Sequence, residues 1–232
     1  MSFQFKKFTI KHSDNVFKFG TDAALLATWV EIDNDNNILE IGTGSGVITL
    51  ILAQRNPSAK YVGIDISKDA IELANQNLST YPIPILANFI HSSLQDFNSE
   101  LLFDHIISNP PFFENGTKSP SELRNTTRHT DTLLLEELLF HSERLLSPSG
   151  KIDLIYPVRY LDDIKEACKS LDLHITQITF TRSTLKKPIK RVLISIGRKP
   201  SEIIETEMVI NGSLKGYSTE VYNMLQPFLY KL

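Results

Sequence analysis

The stretch Asn37-Ile38-Leu39-Glu40-Ile41-Gly42-Thr43-Gly44-Ser45-Gly46 decides the fold of this chain. Its first half is apolar and β-branched apart from Glu40, which predicts a short buried strand. Three glycines follow at alternate positions, and the apolar run 47–54 after them predicts a buried helix. Glycines in such a turn let a ligand approach the backbone, and the following helix N-terminus offers unpaired N–H groups. The sequence therefore predicts a strand–loop–helix unit that binds a ligand.

The same alternation of short apolar runs and helical stretches continues along the chain. It predicts strands at 60–64, 86–90, 103–107 and 152–156, and helices at 67–78, 132–146, 160–171 and 221–230, the last with a kink or break at Pro227. Strand–helix alternation indicates a parallel sheet with helices on both faces. The last two predicted strands, 173–181 and 189–197, are joined by a loop too short for a crossover helix, so they form an antiparallel pair. We therefore predict an α/β, Rossmann-like fold with a seven-stranded, mostly parallel sheet whose last strand is antiparallel.

The composition excludes several classes of protein. The chain has 232 residues, one cysteine and a net charge of −3, and its 41% of hydrophobic residues are typical of a globular protein. A lone Cys168 excludes a disulfide framework, and the six histidines show no metal-ligand spacing. No apolar run approaches the roughly 20 residues that span a bilayer, and the start lacks a signal peptide.

We accordingly expect a cytoplasmic protein without a metal and without membrane contact. We expect one domain over residues 1–232, in which residues 1–36 form an N-terminal extension with a capping helix. The oligomeric state stays open, with a monomer favoured.

Asp65 ends the second predicted strand, 23 residues after Gly42. A carboxylate at that place can accept hydrogen bonds from the two hydroxyls of a ribose. Dinucleotides such as NAD are one of two kinds of nucleotide cofactor that use this layout. The dinucleotide NAD prefers Gly-x-Gly-x-x-Gly, whereas the spacing here is Gly-x-Gly-x-Gly. An NAD-dependent oxidoreductase therefore remains an alternative that this glycine spacing disfavours.

Asn109-Pro110-Pro111-Phe112 directly follows the predicted strand 103–107 and Ser108. Each proline fixes its own φ and restrains the residue before it, so this turn is stiff. The Asn109 side-chain oxygen and the Pro110 carbonyl can accept the two hydrogens of a conjugated amine, which localises its lone pair towards an electrophile. Phe112 offers an apolar face on which a planar group stacks. The motif predicts transfer of a group to an amine without a general base, by orientation and fixed acceptors.

Together these motifs resemble the class I S-adenosylmethionine methyltransferases, and the antiparallel hairpin at 173–197 matches the reversed last strand of that fold. The resemblance implies that Glu40 supports the loop and the methionine amine, that Asp65 binds the ribose and that Ile66 packs on the adenine. The position that holds the adenine amine falls on Ser93 or Asp96, and the sequence leaves both open. The predicted cofactor-binding residues are Thr21, Asp22, Glu40, Gly42, Thr43, Gly44, Gly46, Asp65, Ile66, Ser93 and Asp96.

Asn-Pro-Pro-aromatic is similar to the motif of methyltransferases that act on adenine, cytosine, guanine or glutamine amides. Gly20-Thr21-Asp22-Ala23-x-Leu25-Leu26-Ala27 and Arg124-x-x-x-Arg128-His129-Thr130 further resemble the bacterial valine-tRNA adenine N6-methyltransferases. Those enzymes modify the adenine at tRNA position 37, next to the anticodon. The alternatives are a glutamine N5-methyltransferase of release factors, which usually has a helical N-terminal domain, and an rRNA guanine N2-methyltransferase, which is typically longer.

Charge is unevenly distributed along the chain, which favours an RNA partner despite the negative net charge. Residues 182–199 contain seven basic residues and no acidic one. Local phosphate contacts matter more than the global charge, so a polyanion can bind such a surface. With the loop at 113–131, this segment supplies the predicted tRNA-contacting residues Arg124, Arg128, His129, Arg182, Lys186, Lys187, Lys190 and Arg191.

Overall fold

The computed structural model describes residues 2–16, 20–32, 37–110, 135–212, 214 and 216–230. The strands are β1 (Ser2–Gln4), β2 (Thr9–Lys11), β3 (Asn37–Ile41), β4 (Lys60–Asp65), β5 (Leu86–His91), β6 (Phe103–Ser108), β7 (Leu146–Pro157), β8 (His174–Arg182), β9 (Arg191–Gly197) and β10 (Ile204–Val209). The helices are α1 (Thr21–Trp29), α2 (Val47–Arg55), α3 (Lys68–Ser79), α4 (Leu135–Leu145), α5 (Leu161–Ser170) and α6 (Thr219–Leu225), with a 3₁₀ turn at Val158–Tyr160.

The central sheet has the strand order β10-β8-β9-β7-β6-β3-β4-β5. Only β9 is antiparallel to its neighbours β7 and β8, and the other neighbouring pairs are parallel. This confirms the predicted fold class and the reversed strand. Within the described residues the sheet has eight strands rather than seven, because β10 pairs with β8 at the edge. The sequence pattern missed β10 because its first four residues are exposed and two of them are glutamates, so no apolar alternation marks it.

Helices cover both faces of the sheet. Strands β1 and β2 pair antiparallel and form the N-terminal hairpin. One buried cluster joins α1, α2 and α6 to the sheet and includes Phe5 and Phe8 of this hairpin. The other joins α4 and α5 to the opposite face. The rings of Phe5 and Phe8 stack with centroids 4.5 Å apart, and Phe5 bridges to Leu229. The N-terminal segment and the C-terminal end are therefore packed against one core.

One predicted boundary was wrong. The strand predicted at 152–156 begins earlier, so that β7 starts at Leu146 and includes residues 147–150. Gly150 permits this path, since a Cβ there would lie 2.7 Å from Leu146 Cδ1 and 2.8 Å from the Phe103 carbonyl oxygen. The last helix ends at Leu225, in agreement with the break expected at Pro227, which lacks the N–H that a continuing helix would need.

Gly63 on β4 lies between the side chain of Phe89 and the glycine loop (residues 42–46), and its lack of a Cβ lets both pack closely there. A Cβ at Gly63 would lie 2.5 Å from Phe89 Cδ1 and 2.8 Å from Thr43 Oγ1. We expect Gly63→Ala to lower the free energy of unfolding by about 1–3 kcal/mol, since buried side chains would have to move. Urea unfolding followed by circular dichroism measures this change.

Gly197→Ala is the matched control for a glycine within the same sheet. A Cβ at Gly197 would meet its nearest atoms at 3.8 Å, which is an ordinary contact. We expect this variant to unfold within about 1 kcal/mol of the wild type. Equal losses in the two variants would show that the close packing of Phe89 against Gly63 does not limit stability.

Candidate active site

The predicted motifs lie side by side at the carboxyl edge of the sheet. Ile41, the last residue of β3, is in register with Ile64 on β4 and with Ser108 on β6. The residues that follow, Gly42 and Asn109, therefore leave neighbouring strands about 4.8 Å apart. Ligands of open α/β sheets bind outside the carboxyl ends of the strands. This register places the glycine loop and Asn109 against one space.

The glycine loop has the backbone that its sequence predicts. Gly42, Gly44 and Gly46 have φ values of 72°, 54° and 77°, which favour glycine. The N–H groups of Gly42 and Thr43 donate to the Ile64 carbonyl at 2.9 and 3.0 Å, which fixes the loop to β4. A Cβ at Gly42 or Gly44 would have no atom of a described residue within 4 Å. The outer side of the loop is therefore open, and it fits a ligand that lies along the backbone.

Asp65 ties this loop to the start of α3. Its Oδ2 accepts from the Gly44 N–H at 2.9 Å, and its Oδ1 accepts from the Ser67 N–H at 2.9 Å. Burial raises the pKa of Asp65, and the two backbone hydrogen bonds oppose that rise. Each carboxylate oxygen can accept more than one hydrogen bond. Asp65 therefore has capacity left for a ligand's hydroxyls while it holds the loop.

The residues predicted to surround an adenine lie beyond the ends of β4 and β5. Ile66 is an apolar side chain with 45% of its surface exposed. Ser93 Oγ donates to Asp96 Oδ2 at 2.7 Å, and the Asp96 N–H donates to Ser93 Oγ at 3.1 Å. The two alternatives for the adenine contact thus form one hydrogen-bonded turn, in which both side chains are available together.

Glu40 is a buried carboxyl group, 2% exposed, at the end of β3. Its Oε2 accepts from Thr43 Oγ1 at 2.8 Å and from the Thr49 N–H at 3.0 Å, and also from the Thr49 hydroxyl. Burial raises the pKa of Glu40 from 4.5 to about 7, against the effect of these hydrogen bonds and with a smaller contribution from the charge of Asp65. Glu40 therefore links β3, the loop and α2, and it titrates near neutral pH.

Asn77 supports the loop, and the sequence analysis did not identify it. It is 1% exposed on α3, and its Nδ2 donates to the Ser45 carbonyl at 2.9 Å. Its Oδ1 accepts from the Lys11 N–H of β2 at 2.8 Å. The available signal was an asparagine beside the apolar stripe of this helix. Asn77 thus fastens the N-terminal hairpin to the glycine loop.

Asn109 is half-buried directly after β6, and Pro110 is buried. Over the described ranges 2–16, 20–32, 37–110, 135–212, 214 and 216–230, the Asn109 side chain has no hydrogen-bond partner. Its amide is therefore available to a ligand. The predicted site residue Phe112 and the predicted RNA contacts Arg124, Arg128 and His129 lie outside the described residues.

The structure joins two residues that the sequence assigned to different sites. Asp22, at the start of α1, accepts from Arg191 Nε at 3.2 Å, and Thr21 beside it is exposed. Arg182 is likewise paired with Glu207 at 2.5 Å. The predicted RNA-contacting arginines of the β8–β9 hairpin, Arg182 and Arg191, are therefore paired with carboxylates of the protein itself. The predicted lysines Lys186, Lys187 and Lys190 are exposed.

Within the described part of the chain, no group of three or more His, Cys, Asp or Glu residues is placed to hold a metal ion. None of the helices described is both long enough and apolar enough to cross a membrane.

The fold is that of the α/β methyltransferases. The methyltransferase small domain family matches residues 7–170. A tRNA1(Val) (adenine(37)-N6)-methyltransferase of Phocaeicola vulgatus is 36% identical over 97% of this chain and 96% of its own length. A protein of the same name from Vibrio campbellii is 33% identical over 99% of this chain and 96% of its own length. A solved structure titled as a predicted O-methyltransferase from Agrobacterium tumefaciens shares the fold, with a TM-score of 0.66 at 18% identity over 91% of this chain and 99% of that chain. The chain belongs to the family of tRNA1(Val) (adenine(37)-N6)-methyltransferases.

The raised pKa of Glu40 predicts a pH dependence of stability. Because the folded chain binds the proton of Glu40 more tightly than the unfolded chain, the free energy of unfolding falls as pH rises from about 4.5 to about 7. Glu40→Gln removes this group. The unfolding free energy of the wild type, minus that of Glu40→Gln, should fall by roughly 3 kcal/mol between pH 4.5 and 8. Urea unfolding of both proteins across this range measures it.

Glu72→Gln is the control, because Glu72 is an exposed carboxylate on α3. It shows what the loss of an exposed carboxylate does to the unfolding free energy at each pH. If the difference of Glu40→Gln from the wild type did not change between pH 4.5 and 8, the carboxyl group of Glu40 would not have the raised pKa.

Proposed function

We propose that this chain is an S-adenosylmethionine-dependent methyltransferase that methylates N6 of an adenine in tRNA, namely adenine 37 of valine tRNA. The register of Ile41 with Ser108 carries the proposal, because it puts an open glycine loop beside Asn109, whose amide has no partner among the described residues. The near full-length similarity to tRNA1(Val) (adenine(37)-N6)-methyltransferases supports the choice of adenine over glutamine or guanine. The reversed β9 supports a methyltransferase over an NAD-dependent oxidoreductase.

S-adenosylmethionine supplies a methyl group on a positively charged sulfur. The open loop of Gly42, Thr43 and Gly44 lies where its methionyl end would be held, and Gly46 completes the turn into α2. Glu40 faces the same loop, and an ammonium group nearby would favour its charged form. Asp65 would bind the ribose hydroxyls, Ile66 would pack on the adenine, and the Ser93–Asp96 turn would hold the adenine amine. Thr21 and Asp22 at the start of α1 would cover the cofactor.

Asn109 and Pro110 would act on the substrate amine. The Asn109 side-chain oxygen and the Pro110 carbonyl accept its two N–H groups and turn its lone pair towards the methyl group. Asn109 is half-buried and its side chain has no partner among the described residues, so no hydrogen bond to that part of the chain has to break for it to do so. The amine loses its proton after it has received the methyl group, so no general base is needed. Phe112 would stack on the adenine, which has to be turned out of its base stack to reach this edge.

The remaining proposals concern the domain, the compartment, the oligomeric state and the metal content. We propose one methyltransferase domain over residues 1–232, acting as a cytoplasmic monomer without a metal. Supporting the single domain, residues of the N-terminal hairpin share one buried cluster with α1, α2 and α6.

Asn109→Ala tests the catalytic role. The variant should bind S-adenosylmethionine nearly as the wild type does, while kcat falls by about 100-fold or more, since fixed acceptors act in the transition state. Isothermal titration calorimetry measures the binding. Mass spectrometry of nucleosides from tRNA, transcribed without modifications and then incubated with the enzyme, measures N6-methyladenosine.

Asn88→Ala is the matched control, because Asn88 is exposed on the edge strand β5. It should keep the wild-type kcat. Undiminished methylation by Asn109→Ala would remove Asn109 from the mechanism, and wild-type enzyme that forms no N6-methyladenosine would overturn the proposed function itself.

Asp65→Ala tests the ribose contact. Loss of a carboxylate that holds both the loop and the ribose should weaken S-adenosylmethionine binding at least tenfold by calorimetry, in line with charged hydrogen bonds of about 1.5–3 kcal/mol. Asp69→Ala is the control, because Asp69 is exposed in the first turn of α3. Equal affinities of the two variants would contradict the assignment of Asp65.

A further inference from the structure

The 3₁₀ turn Val158–Tyr160 ends β7 at the same sheet edge as Asn109. Leu154 of β7 is in register with Ser108, and Pro157 lies three residues further on, about 10 Å along the strand. The Val158 N–H donates to the Lys190 carbonyl at 3.1 Å. The turn is thereby fixed between β6, which precedes Asn109, and the loop that joins β8 to β9 and carries Lys186, Lys187 and Lys190.

Arg159 is exposed in this turn, and it is held in place by an aromatic ring. Its Cζ lies 4.9 Å from the centroid of the Tyr160 ring. Tyr160 in turn meets Tyr156 edge to face, with centroids 5.5 Å apart and planes at 82°. A guanidinium group on a ring loses less conformational freedom when it binds a phosphate, and its flat fork matches phosphate oxygens.

The hairpin loop beside Arg159 is also ordered by its own backbone. The Lys187 N–H donates to the Thr184 carbonyl at 2.9 Å, and the Lys190 N–H donates to the Thr181 carbonyl at 3.0 Å. The exposed lysines Lys186, Lys187 and Lys190 are thus carried by a fixed turn next to an oriented arginine.

The acidic residues near Arg159 do not cancel this positive surface. Asp162 and Asp163 begin α5, where carboxylates stabilise the helix N-terminus. Asp162 lies 3.7 Å from Lys165 Nζ, and Asp22 is bonded to Arg191. Arg159 has its aromatic contact but no carboxylate partner among the described residues.

We propose that Arg159, oriented by Tyr160, binds a phosphate of the RNA backbone next to the methylated base, and that Lys186, Lys187 and Lys190 continue this contact along the hairpin loop. The proposal rests on the proposed function for its substrate class. It adds a residue that the sequence pattern did not mark and replaces the engaged Arg182 and Arg191 as the RNA-contacting arginines of this edge.

The test is binding of fluorescently labelled tRNA, measured by anisotropy at several salt concentrations, so it does not depend on methylation. Arg159→Ala should raise Kd about 5- to 10-fold and reduce the slope of log Kd against log salt by about 0.7–0.9, as expected for one lost phosphate contact. Affinity for S-adenosylmethionine should not change. Tyr160→Leu should raise Kd without a change of slope, because the charge remains, and Tyr160→Phe should retain wild-type binding.

Lys199→Ala is the matched control. Lys199 is exposed just after β9, whose end lies at the opposite edge of the sheet beside Lys151. It should leave Kd and slope as in the wild type. If Arg159→Ala bound tRNA like Lys199→Ala, the proposal would be overturned while the methylation result for Asn109 still stood. If wild-type enzyme bound tRNA through Arg159 but formed no N6-methyladenosine, only the proposed function would fail.

Discussion

The parallel register of β3 with β4 and β6 is the constraint on which the rest of the site depends. Ile41 faces Ile64 on one side and Ser108 on the other, so three strands end in line. The residues after these strands have no sheet partner ahead of them and turn into one space. A shift of one residue would exchange the faces of every side chain on a strand, so burial on both faces holds this register.

Two carboxylates keep the glycine loop in its open form, and they do so from different sides. Glu40 binds the loop from the buried side through Thr43, whereas Asp65 binds it from the neighbouring strand through the Gly44 N–H. Burial raises the pKa of both groups. Burial therefore disfavours the charged forms of the two carboxyl groups that hold the loop, and such shifts cluster at functional sites.

Polar contacts also decide how the outer elements reach the site. Asn77 joins the N-terminal hairpin to the loop, and the ion pair of Asp22 with Arg191 joins α1 to the start of β9. Each contact spans a long stretch of chain. The N-terminal hairpin is thereby fastened to the glycine loop, and α1 to the start of β9.

The sequence by itself determined the order of the main strands and helices, the reversed strand, the glycine loop and the motif at Asn109. These features depend on local apolar periods, on glycine conformations and on a connection too short for a crossover, which all act between close neighbours. Only the tertiary structure decided that β10 extends the sheet, that Arg191 binds Asp22 and that the turn Val158–Tyr160 follows the strand next to the one that ends before Asn109. Those contacts join residues from separate elements, so no local pattern of charge or hydrophobicity contains them.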